Sequence, residues 1–124
     1  MDITPVLTAS RQLIRAYGGG KFVVNDTTYE SSILVFPELI LLWPFGRMED
    51  VNPSKLPVEV GQQRPEIFLI GTGEKQQFLP PTQRAVLRDA YGFSIETMDT
   101  GAACRTFNVL MAEDRKVAAL LMVG

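Results

Sequence analysis

The 124-residue chain has no histidine and a single cysteine, Cys104. Histidine is the side chain most often poised as a general base near neutral pH, and it is the commonest metal ligand. Its absence excludes Ser-His-Asp and Cys-His nucleophilic devices within one chain. One cysteine excludes an intramolecular disulfide and any zinc site built from several thiolates, and it is compatible with a reducing compartment. No metal or cofactor is implied by what remains. A surplus of positive charge is also missing. Lys and Arg number 12 against 14 Asp and Glu, a net of −2, so no basic field draws in a phosphate backbone and nucleic acid is not expected as a partner. Long apolar runs are lacking too. The longest, Ile33 to Phe45, is interrupted by Pro37, Glu38 and Pro44 and falls short of the roughly 20 residues of a spanning helix. The chain is therefore not expected to be an integral membrane protein. The N-terminus carries no charged stretch followed by an apolar signal core, so no secretory signal is expected.

What is present describes one α/β domain over residues 1–124, with 46% hydrophobic and 21% charged residues supplying a single substantial core. Residues 1–10 are weakly patterned and read as a loose lead-in. Arg11–Tyr17 suits a first strand, Gly18-Gly19-Gly20 a reversal, and Lys21–Asn25 a second strand. Thr28-Tyr29 returns after the Asn25-Asp26-Thr27 turn, which completes an antiparallel meander. Ser32–Phe36 and Leu39–Trp43 are continuous apolar runs of strand length, of the kind covered on both faces. The proline-rich stretch 45–65 is expected to be a connecting loop with at most a short helical turn at Pro53–Leu56.

From Glu66 the pattern changes. Ile67–Ile70 reads as a buried strand ended by Gly71-Thr72-Gly73. Pro81 opens a helix with Gln83, Leu87, Ala90 and Tyr91 on one face and Gly92 as its stop. Phe93–Thr97 is a second strand. A second helix, capped by Asp99 or Thr100, places Ala103, Phe107, Leu110 and Met111 on one face, and Lys116–Val123 forms a final strand. The resulting β-α-β-α-β unit implies parallel strands joined by right-handed crossovers.

In such sheets, ligands sit beyond the carboxyl ends of the strands. Gly71-Thr72-Gly73-Glu74-Lys75 and Met98–Arg105 converge there and offer backbone N–H groups to an anion. The first of these reads either as a tight strand exit or as a ligand loop, since it lacks the third glycine of the dinucleotide fingerprint and the Lys-Ser/Thr of a P-loop. Asp99 and Thr100 are helix caps or ligand contacts. Cys104 is a small buried hydrophobe or a thiol whose pKa the helix lowers. Arg105 and Asn108 share an outward stripe, where they either hold a ligand or partner carboxylate or satisfy local carbonyls and Glu113.

An ordered set of segments runs through the chain: Tyr17-Gly18, Tyr29-Glu30-Ser31-Ser32, Trp43, Leu69-Ile70-Gly71-Thr72-Gly73, Leu79-Pro80-Pro81, Met98-Asp99-Thr100, Ala103–Leu110 and Glu113–Val117. Together they resemble, over nearly the whole length, the family of small α/β domains that includes the mitochondrial complex I (NADH:ubiquinone oxidoreductase) assembly factor 3. The resemblance implies a three-layer single domain with a mixed central sheet, a C-terminal β-α-β-α-β unit and an N-terminal antiparallel β meander or hairpin layer. It also implies no established enzymatic activity, and action by binding, as the mitochondrial members bind assembly intermediates of complex I.

Two readings of function follow. The first is a non-catalytic binding or accessory domain that acts through protein–protein contacts with an unidentified partner, a membrane-associated complex included. The second is a small-ligand or anion site at the Gly71–Gly73 loop and the Thr100 helix N-terminus, with room for enzymatic chemistry. A redox role for Cys104 is a third.

Overall fold

The structure is a computed structural model that describes residues 11–123; the expected lead-in at 1–10 lies outside the described residues. Three short strands come first, β1 (Ile14–Gly18), β2 (Lys21–Val24) and β3 (Thr27–Tyr29), paired as an antiparallel meander. Gly19 and Gly20 both adopt positive φ between β1 and β2, the backbone that a tight hairpin turn requires and that glycine adopts without strain. β4 (Ile33–Phe36) and β5 (Leu39–Leu42) follow, then α1 (Val58–Gln63), β6 (Ile67–Gly71), α2 (Pro81–Tyr91), β7 (Ser94–Met98), α3 (Thr100–Ala112) and β8 (Val117–Leu121). The second sheet has the order β5-β4-β8-β6-β7. Its β8, β6 and β7 are parallel, and β4 runs antiparallel to both β8 and β5.

Period-2 alternation along the apolar strands divides the core into two halves. Leu34 and Phe36 of β4, Phe68 and Ile70 of β6, and Ala118 and Leu120 of β8 face one side. Ile33, Val35, Leu69, Val117, Ala119 and Leu121 face the other. On the first side lie Leu87 of α2, Val60 of α1 and the segment between β5 and β6. On the second, Ala103, Cys104, Phe107 and Met111 of α3 pack with Ile14, Phe22 and Val24 of the meander. This is the expected three-layer arrangement around a mixed sheet. The connection from β6 through α2 to β7 and the one from β7 through α3 to β8 run in opposite directions across the sheet, so same-handed crossovers place α2 and α3 on opposite faces. Among the described residues no helix is long and apolar enough to cross a membrane.

Several expectations need correction. The first strand begins at Ile14, because Arg11 turns aside to bond the Met111 carbonyl (2.7 Å) and the Asp114 carboxylate (2.5 Å). β5 is a sheet edge and leaves Leu42 exposed, so of the two apolar runs before the proline-rich stretch only β4 is covered on both faces. Segment 45–65 is more than a connecting loop. It contains a 3₁₀ turn at Met48–Asp50 and the helix α1, and the short turn expected at Pro53–Leu56 is present, closed by the Leu56 N–H donating to the Asn52 carbonyl at 3.0 Å. Met48, Val51, Leu56 and Val60 are all buried, and the Gln83 side-chain amide of α2 donates to the carbonyls of Met48 and Val51 (both 2.6 Å). Ala90 is exposed rather than on the buried face of α2. The stacked rings of Tyr91, Phe93 and Phe68 carry the packing at that end, with centroids 5.1 and 4.7 Å apart.

Candidate functional site

The carboxyl ends of β6, β7 and β8 are tied together by two threonines and one aspartate. Asp99 has an extended backbone, and its carboxylate accepts the Ala102 N–H at 2.8 Å. That is the N-cap that starts α3. Thr100 follows as the first helical residue, and its hydroxyl is buried. It accepts the Gly73 N–H and donates to the Met122 carbonyl, both at 2.8 Å, while the Thr100 N–H donates to the Gly73 carbonyl at 2.8 Å. One side chain thus joins the residues after β6 to those after β8. Thr72 does the same between β6 and β7. Its hydroxyl accepts the Gln77 N–H (2.9 Å) and faces the carbonyls of Lys75 (2.7 Å) and Met98 (3.2 Å). Gly71 lies behind this lattice, where the backbone of α3 approaches so closely that a Cβ would stand 2.9 Å from Thr100 Cα.

Above the lattice is an open cleft of about 500 Å³. It is lined by the buried residues Thr100, Phe22 and Met122 and by Gly73, Glu74, Asp99 and Gly101. The β1–β2 hairpin from Tyr17 to Lys21, together with Arg105 and Val123, completes the lining. Tyr17 is what brings the hairpin onto α3. Its ring lies against Gly101, where a Cβ would come within 2.7 Å of it, and its hydroxyl oxygen accepts a hydrogen bond from the Arg105 guanidinium.

The eight residues singled out from the sequence therefore separate. Gly73, Asp99, Thr100 and Arg105 line the cleft. Gly71 and Thr72 hold the strand end behind it. Cys104 faces the core at 1% exposure. Asn108 does not share the outward stripe of Arg105. Its carboxamide accepts the Ile14 N–H (3.0 Å) and donates to the Ile14 carbonyl (2.8 Å), pairing with β1 as a neighbouring strand would. Asn108→Ala leaves both buried backbone groups of Ile14 without that partner. We expect it to cost about 1–2 kcal/mol in urea unfolding and to speed amide exchange along β1 before the rest of the sheet.

Burial pushes the Cys104 thiol up from 9.0 to about 12, a rise that the nearby Arg105 charge opposes and Asp99 adds to. At neutral pH it is a protonated thiol with little nucleophilic character. Alkylation by iodoacetamide at pH 8 is expected to run about a thousandfold slower in the native than in the unfolded chain, in proportion to the thiolate fraction. The native thiol keeps its proton while the unfolded one releases it above about pH 9. Stability is therefore lost as the pH rises from about 9 towards 12, and the difference between wild type and Cys104→Ala measured at each pH isolates that loss. A pH-independent difference would contradict the burial.

Tyr17, Gly18–Gly20 and Val123 were not distinguished as site residues by the sequence. The glycine triplet reads there only as a reversal, and nothing local marks the face on which its hairpin closes.

A family model described as "Protein of unknown function (DUF498/DUF598)" matches residues 14–122. The NADH dehydrogenase (ubiquinone) 1 alpha subcomplex assembly factor 3 of Xenopus tropicalis is 33% identical over 116 residues, which are 93% of this chain and 63% of that protein. The chain thus spans about three-fifths of the length of the assembly-factor relatives it matches. The 13 kDa major membrane protein of Francisella tularensis is 30% identical over 110 residues, 87% of this chain and 88% of that one. Among solved structures, a Bordetella parapertussis protein superimposes with a TM-score of 0.81 at 38% identity, over 92% of this chain and 97% of the other. An outer membrane protein from Bartonella henselae gives 0.74 at 41% identity, over 93% and 98%. The matched span runs from the start of β1 to the end of β8 and takes in the cleft residues from Tyr17 to Met122, and the chain belongs to the DUF498/DUF598 family.

Proposed function

We propose that this chain is a non-catalytic accessory domain that binds a protein partner with the face at the carboxyl ends of β6, β7 and β8. The observation that carries the reading is how the reactive groups of the cleft are used. The Thr100 hydroxyl is spent on Gly73 and Met122, and the Asp99 carboxylate on Ala102. The one thiol is buried behind them. A nucleophile needs a base beside it to take its proton, and the Thr100 hydroxyl donates to a backbone carbonyl instead, whereas recognition needs shape and exposed donors, which Arg105 and Tyr17 supply. The names of the assembly-factor relatives agree with an accessory role, and those of the two membrane-protein relatives agree with a partner at a membrane complex. The chain itself we read as bacterial, in keeping with the organisms of these relatives, and a cytoplasmic location is part of the same proposal. Affinity capture of the tagged chain, expressed at native level and crosslinked in the cell, is expected to recover the same partner reproducibly. Recovery of none would overturn the reading.

The cleft volume supports a second reading, a small-ligand or anion site, because about 500 Å³ lies within the range of small-molecule pockets. Titration with a metabolite panel would then move the amide signals of Gly73 and Thr100 and the side-chain signal of Arg105. A panel that moves none of them sinks it.

A further inference from the structure

Five of the chain's ten glycines, Gly18, Gly19, Gly20, Gly73 and Gly101, line this one cleft. Cβ atoms added at Gly18, Gly19 and Gly20 would meet nothing within 4 Å, so these positions present bare backbone to open space. A rim bare of side chains lets another chain approach its backbone closely. Arg105 lines the same cleft and is exposed. Among the described residues the ion pairs are Arg11–Asp114, Arg47–Glu49 and Lys55–Asp50, and Arg105 has no carboxylate partner. Its one side-chain bond is to the neutral Tyr17 hydroxyl, which orients the guanidinium and leaves most of its five donors unused. The group that fills such a fork best is a carboxylate. Glu74 and Asp99 also line the cleft, against Lys21 and Arg105, so its lining is balanced in charge. A balanced lining suits a segment with one carboxylate among neutral neighbours rather than a densely anionic ligand.

We propose that the cleft takes an extended, carboxylate-bearing peptide segment of the partner, with Arg105 as anchor and Tyr17 as the residue that positions it. This rests on the accessory-domain reading and names the chemistry of what is bound. The carboxylate is either a chain terminus or an acidic side chain, and three probes distinguish them: an N-acetylated alanine–leucine pentapeptide with a free C-terminus, its C-terminal amide, and that amide carrying a central glutamate.

Titration of the full chain, followed by amide signals of the five glycines and by the Arg105 Nε signal, is expected to show binding of one or both acids at about 1 mM and none of the neutral amide. Arg105→Gln is expected to weaken binding about tenfold or more with unchanged thermal unfolding, and Tyr17→Phe to weaken it less. The proposal is overturned if the neutral amide binds as well as the acids, if Arg105→Gln binds as tightly as wild type, or if neither acid moves the glycine signals. Capture of the cellular partner keeps the two failures apart. A partner retained by Arg105→Gln beside a negative titration removes the cleft assignment and leaves the accessory reading standing, whereas absence of any partner for the wild type removes the accessory reading itself.

Discussion

Thr100→Val is expected to lower the stability of this domain by about 2–4 kcal/mol, although it exchanges a hydroxyl for a methyl of nearly the same shape. The Thr100 hydroxyl is buried and has two partners, the Gly73 N–H and the Met122 carbonyl. Valine supplies neither bond, and each buried backbone group left unsatisfied costs about 1–3 kcal/mol. The loss also has a place. Gly73 and Met122 follow strands that neighbour one another in the sheet, so the variant unfastens the strand ends that line the cleft. Urea unfolding measures the size of the effect, and hydrogen exchange at Gly73 measures its place. A change below about 0.5 kcal/mol, the range of ordinary surface substitutions, would contradict the bonding described.

Gly71→Ala is expected to cost about 2–3 kcal/mol, the upper part of the range for overpacking a filled core. The added methyl would stand 2.9 Å from Thr100 Cα, 3.1 Å from Ala103 Cβ and 3.1 Å from the Thr100 hydroxyl oxygen. Two of these are backbone or Cβ atoms with no rotamer to escape into, so the first turn of α3 must move as a unit. The amide signals of Thr100, Gly101 and Ala102 are expected to shift together, and Gly71→Val is expected to be worse than Gly71→Ala. A neutral Gly71→Ala would mean that α3 does not approach β6 as closely as described.

Both substitutions fall in the stretch where the chain is most readable. Pro81 and Gly92 bracket α2, and the Asp99 cap opens α3, because start and stop signals act within a turn of the backbone they govern. The apolar runs of β4, β6 and β8 also announce themselves, since strands buried on both faces cannot hide their composition. The region between β5 and β6 is different. Pro53 and Pro57 punctuate it as a loop would be, yet Met48, Val51, Leu56 and Val60 are buried there. What folds it is tertiary, as the bonds from Gln83 to Met48 and Val51 show across 35 and 32 positions.

The site divides along the same line. Gly73, Asp99, Thr100 and Arg105 are placed by local signals and by the general position of crevices in parallel sheets. Asn108 reads as outward on a helical wheel because a wheel has no knowledge of β1, whose Ile14 lies 94 positions away and claims its carboxamide. Tyr17 is legible as a strand residue but not as the one that lays the hairpin against Gly101 and Arg105, a contact spanning 88 positions. Short-range order is written in the sequence at each place, while the hairpin side of the cleft is assembled by contacts that no local pattern encodes.

The central claim is that this domain works by recognition at the carboxyl-end face. Site-specific photo-crosslinking in the living cell tests it most directly, with the crosslinking residue placed at Val123 in the lining of the cleft and, for comparison, at Ala90 on the exposed side of α2. We expect a discrete protein adduct from position 123 and none from position 90. An adduct from position 90 alone, or from neither, would contradict the account.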